Sequence, residues 1–65
     1  MRMLEVVYLT HEELEALRLK NIRELDQGEC AREMKTSPST FQRILASANK
    51  KVSQALVDGR AIEIA

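Results

Sequence analysis

The strongest constraint in this 65-residue chain is a pair of helix-start signals set eleven positions apart. The first is DQGE, Asp26 to Glu29. Asp26 serves as N-cap and Glu29 sits three residues on, a capping box in which each residue satisfies a free amide of the other. The second is SPST, Ser37 to Thr40. Ser37 caps, and Pro38 takes the first helical position, where a missing N–H costs nothing. A helix begun at Asp26 must end near Met34, so only Lys35 and Thr36 separate it from the next. The chain bends sharply there. Helix, tight turn, helix, behind a supporting helix, is the helix-turn-helix arrangement.

The flanking sequence supplies the support. THEE, Thr10 to Glu13, is another capping box, and Glu12, Glu13 and Glu15 suit the positive end of a helix dipole. Leu14, Leu17, Ile22 and Leu25 recur at helical spacing and predict a core stripe on a helix running to about Leu25. Gly28 weakens the second helix by ~1 kcal/mol, so that helix depends on packing through Cys30, Ala31 and Met34. Ala31 is the small residue that lets the two helices touch. In the third helix Phe41, Ile44, Leu45, Ala48, Val52, Ala55 and Leu56 fall on one face, and Gly59 terminates it. Leu4–Leu9 and Ala61–Ile64 read as short strands. The fold class is mostly α: a three-helix helix-turn-helix domain, 1–65, with a long third helix and terminal strands paired with each other.

Size and composition narrow the rest. A chain this short buries only about 60% of its unfolded surface, so help from outside its own core is common. One cysteine excludes an internal disulfide, and Cys30 and His11 have no metal-ligand spacing. Neither a metal nor a cofactor is expected. Cys30 reads as a small buried hydrophobe and His11 as an exposed residue of a first helical turn. The longest apolar run, Val6–Leu9, is far short of the ~20 residues of a membrane helix, and no signal peptide is visible. Cytoplasmic placement is expected. No nucleophile–base pair or glycine-rich phosphate loop appears, so an enzyme is not expected, and the glutamates near Thr10 have capping and dipole roles.

The net charge is zero but unevenly spread. Residues 1–31 hold four Lys/Arg against seven Asp/Glu, and residues 32–65 hold six against three. The basic second half suggests one basic face. The third helix carries Ser37, Ser39, Thr40, Gln42, Arg43 and Ser47 outward. Hydroxyls and free helix N-terminal amides suit phosphate oxygens. Gln42 can pair bidentately with adenine and Arg43 with guanine in a major groove. Lys50 and Lys51 lie two turns on, within reach of backbone phosphate, and Lys35 and Arg32 flank the groove.

Several runs together resemble a known family. They are Leu14–Leu19, Ala31–Met34, Ser37–Leu45, and Lys51-Val52 with Ala55–Gly59. This combination resembles a family of small prokaryotic predicted DNA-binding proteins whose helix-turn-helix looks like region 4 of sigma factors. The resemblance covers about Val6 to Ile64. It implies duplex DNA binding and transcriptional control, with the helix beginning at Ser37 reading the major groove. Two features depart from the family. Lys35 occupies the turn position that usually holds glycine, at ~1 kcal/mol if the backbone there is left-handed. Such proteins carry a proline- and cysteine-containing segment before the first strand; here the sequence starts at Met1-Arg-Met, so either that segment's role is absent or the sequence is trimmed.

The terminal strands would leave apolar surface and open edges exposed. Antiparallel pairing of the two, within a chain or swapped between chains, is expected to form a homodimer reading half-sites about 34 Å apart. The competing reading is a region-4-like module that docks on the transcription machinery or another protein, without DNA specificity of its own.

Overall fold

The computed structural model describes residues 5–65. Strand β1, Val6–Leu9, leads into helix α1, His11–Leu17. The helix continues as a π-wound turn over Arg18–Ile22, followed by α2, Gln27–Glu33, α3, Pro38–Asp58, and strand β2, Ala61–Ile64. The fold is mostly helical with two short strands, as the sequence predicts. Leu4, read as the start of the first strand, lies outside the described residues.

Each predicted cap forms. The Thr10 side chain accepts from the Glu13 amide at 3.1 Å and Glu13 accepts from the Thr10 amide at 2.9 Å. Asp26 and Glu29 repeat the exchange at 2.8 and 3.3 Å. Ser37 accepts from the Thr40 amide at 3.2 Å, with Pro38 at the helix start. Gly59, at φ 66°, ends α3, and the Arg60 amide closes the turn on the Ala55 carbonyl at 2.9 Å.

The bend between α2 and α3 is a left-handed helix termination. Lys35 has φ 56°. The Thr36 amide donates to the Ala31 carbonyl at 2.9 Å, and the Lys35 amide to that of Arg32 at 3.1 Å. These two bonds satisfy carbonyls that a helix end otherwise leaves free. Ala16, Leu19, Cys30, Ala31, Phe41 and Leu45 form the core, with Leu17, Leu25, Met34 and Ile44 packed around it. Ala31 is 2% exposed, which is why a larger residue there would force α2 and α3 apart.

The predicted stripe on the first helix is corrected. The Arg23 amide bonds back five residues to Arg18 at 3.0 Å. This wider turn shifts the helical phase. Upstream of it, within α1, Ala16 is buried and Leu14 already faces solvent; past Leu17, Leu19 is buried and Ile22 is 77% exposed. Glu24, at φ 56°, reverses the chain, and the Leu25 amide bonds to the Leu19 carbonyl at 3.1 Å. Leu25 thereby returns to the core edge. Leu56, expected on the buried face of α3, is 76% exposed, in the last turn of the helix before Gly59.

The strand pairing is also corrected. β1 and β2 pair in parallel within the chain, Val6 beside Ala61 through Leu9 beside Ile64. Antiparallel strands can be joined by a tight turn, whereas parallel ones need a long crossover. The three helices are that crossover: α3 carries the chain back past α1, and β2 then runs alongside β1. Val7 and Leu9 are buried, and β1 packs on α3, whose Ala48 and Ala55 are also buried. All four residues of β2 are exposed.

Candidate nucleic-acid interface

Helix α3 has 21 residues and is about 31 Å long at 1.5 Å per residue. Its buried line, Phe41, Leu45, Ala48 and Ala55, fixes which side faces away from the core. The opposite side is Ser39, Arg43, Ala46, Lys50, Ser53 and Val57, spaced four, three, four, three and four apart. That spacing keeps them on one line along the helix. All six are exposed. Among the described residues, neither Arg43 nor Lys50 has an ion-pair partner. No Asp or Glu occurs between Met34 and Val57, while Lys35, Arg43, Lys50 and Lys51 do. The outer face of α3 is therefore cationic without internal neutralisation over most of its length.

At the start of α3 the hydroxyls are already organised. Ser37 Oγ donates to Thr40 Oγ1 at 2.9 Å and lies 3.3 Å from Ser39 Oγ. Gln27, at the first position of α2, donates from Nε2 to the Pro38 carbonyl at 3.3 Å. That bond ties the start of α2 to the start of α3, fixing how the helices meet. Gln42 is exposed beside Arg43. Lys35 is exposed in the left-handed turn that precedes them.

Two of the sequence-predicted residues are engaged elsewhere. Thr40, Ser47 and Lys51 share a second line along α3, turned about a quarter-circle from the first. Ser47 Oγ donates to Glu13 Oε2 at 2.5 Å, and Lys51 Nζ donates to Glu13 Oε1 at 2.8 Å. Glu13 is 6% exposed, the one buried charged residue among those described. It accepts from Thr10 as well, so both carboxylate oxygens are occupied. Burial alone would raise its pKa. Lys51, Ser47 and Thr10 outweigh that and hold the carboxyl at about 2. This network clamps the flank of α3 to the start of α1. Sequence reasoning read Glu13 as a cap only, and Ser47 and Lys51 as free.

Cys30 is fully buried, and its Sγ donates to the Leu25 carbonyl at 3.6 Å. Burial pushes the thiol pKa up. It is a core residue, as expected. Among the described residues no group of His, Cys, Asp and Glu could hold a metal ion, and no helix is long and apolar enough to cross a membrane.

Comparison with known proteins finds one family. A family model described as "Protein of unknown function DUF134" matches residues 2–65. A UPF0251 protein of Thermoanaerobacter pseudethanolicus is 56% identical over 64 residues, covering 98% of this chain and 54% of the relative. Another from Caldanaerobacter subterraneus is 56% identical over 62 residues, covering 95% and 52%. One from Clostridium beijerinckii is 56% identical over 61 residues, covering 94% and 41%. The chain thus spans about half the length, or less, of these curated relatives. No solved structure matches it.

Proposed function

The chain belongs to the family described as protein of unknown function DUF134, and from that premise we propose that it binds double-stranded DNA with α3 in the major groove and regulates transcription as a homodimer. The observation that carries the reading is the outer line of α3. It is a long helix with Ser39, Arg43 and Lys50 aligned and exposed, and no acidic residue lies between Met34 and Val57 in the sequence. A helix of this kind fits the major groove. Its N-terminal end faces base edges when a preceding helix crosses the backbone.

Roles follow from position. Arg43 and Gln42 read bases, Arg43 by bidentate pairing with guanine and Gln42 with adenine. Ser37, Ser39 and Thr40 bond phosphate oxygens near the helix start. Lys35 and Lys50 contact backbone phosphate on either side of the groove. Ser47 and Lys51 act through Glu13, holding the reading helix at a fixed angle to α1. The second reading is a module that docks on transcription machinery. The exposed Leu14 and Ile22 on the supporting helix favour it, because they offer apolar surface away from α3.

Amide chemical-shift mapping during titration with a short duplex tests the choice. DNA reading predicts shifts concentrated from Lys35 to Lys50. Shifts confined to α1 and the π turn, or none, contradict it. With an operator selected, Arg43→Ala loses about 1–3 kcal/mol of sequence preference.

A further inference from the structure

The outward line of α3 carries Ala46 between the cations Arg43 and Lys50. Arg43 lies three residues before it and Lys50 four after, so all three stand on one side of the helix. Ala46 is exposed, and from Ser39 to Lys50 it is the one apolar member of that line. Its chain neighbours serve the fold instead. Leu45 is buried, and Ser47 donates to Glu13. Ala46 itself lies outside the core.

Side-chain length sets how near each part of the line comes to a surface laid against it. Arg43 and Lys50 are long and flexible, and Ala46 between them is the shortest side chain of the line. The helix backbone can therefore approach most closely at Ala46. The approach is set by the fold, because Ser47 and Lys51 clamp the adjoining flank of α3 to Glu13 of α1. A methyl group has neither donor nor acceptor, so it matches an apolar feature. On the base edges of a major groove that feature is the C5-methyl of thymine. Gln42 lies one turn before Ala46, where side chains four apart sit one above the other, and it is the residue placed to pair with adenine.

We infer that Ala46 is a specificity-determining residue that packs against a thymine methyl in an A·T pair beside the guanine read by Arg43. The inference rests on the DNA reading above and adds a base to the sequence that α3 selects. The step from Arg43 to Ala46 rises about 4.5 Å along the helix, against ~3.4 Å between base pairs. The thymine therefore falls within about two base pairs of the guanine.

Alanine also favours helix wherever it stands, and glutamine is nearly as good a helix former but long and polar. Ala46→Gln therefore separates the two roles. The probes are duplexes enriched by the chain from a random-sequence pool, read by fluorescence anisotropy. Each thymine is then replaced in turn by deoxyuridine, which lacks only the C5-methyl. The expected result is one thymine near the guanine whose replacement weakens wild-type binding about fourfold, the worth of one buried methyl. The same replacement should leave Ala46→Gln binding unchanged. That variant should keep its helical circular dichroism, its preference for the guanine and its salt slope on random duplex, and lose the preference for thymine. If it fails to fold, Ala46→Ser, which puts a hydroxyl in place of the apolar contact, gives the readout. A chain that binds no duplex even at low salt overturns the DNA reading and this inference with it. A chain that binds duplex but has no deoxyuridine-sensitive thymine, or one equally sensitive in wild type and variant, overturns the Ala46 assignment alone.

Discussion

Glu13 performs two tasks that a sequence presents as one. Its spacing from Thr10 identifies the capping box, because both partners lie three residues apart. Its bonds to Ser47 and Lys51 span 34 and 38 positions, so local pattern cannot reveal them. For the same reason Arg43 and Gln42 were legible as candidate readers from the helix start at Ser37, while the inward turn of Ser47 and Lys51 was not. The network has a pH signature. The folded pKa of about 2 lies below the ordinary 4.5, so ionised Glu13 stabilises the fold fully above about pH 4.5. That contribution is lost as pH falls through the folded value. Urea unfolding at a series of pH values should show wild type exceeding Glu13→Gln at neutral pH, with the gap closing between about 4.5 and 2. Lys51→Met, which leaves the carboxylate without its cation, should cost about 1.5–3 kcal/mol in the same assay at pH 7.

Element ends were legible, and one element's winding was not. Thr10, Asp26, Ser37 and Gly59 mark helix boundaries through side-chain chemistry or backbone freedom local to each position. The π turn has no such marker. Leu14 already faces solvent upstream of it, and a stripe extrapolated from Leu14 arrives at Ile22 when the buried residue is Leu19. Leu19→Ala should therefore cost about 2–5 kcal/mol, and Ile22→Ala no more than about 0.5 kcal/mol, both read from urea midpoints. The parallel sheet was equally hidden, because the direction of β2 depends on how three helices return the chain. The α2–α3 turn makes a different trade. Lys35 holds a left-handed backbone that glycine adopts without steric cost. Lys35→Gly should raise stability by up to about 1 kcal/mol while weakening DNA binding, if Lys35 contacts phosphate. Glu24→Gly, at the same φ but outside the proposed DNA face, should stabilise without that loss.

At the scale of the whole molecule, the two ends of α3 have separate assignments. The first two-thirds carries the aligned cations of the proposed DNA face, and the last turn leads into β2. In a symmetric dimer the two reading helices would address half-sites about one DNA turn, 34 Å, apart. The zero net charge of the chain does not oppose this, because acidic residues are absent from Met34 to Val57. What matters to a polyanion is the local field of that face. The central claim is that this face binds duplex DNA through its cations. The most direct measurement is fluorescence anisotropy of a labelled random duplex titrated with the chain at several salt concentrations. The account predicts binding at low salt that collapses as salt rises, with a logarithmic slope that becomes shallower by about one for each of Arg43→Ala and Lys50→Ala. Absence of binding at low salt, or a slope unchanged by either substitution, would contradict it.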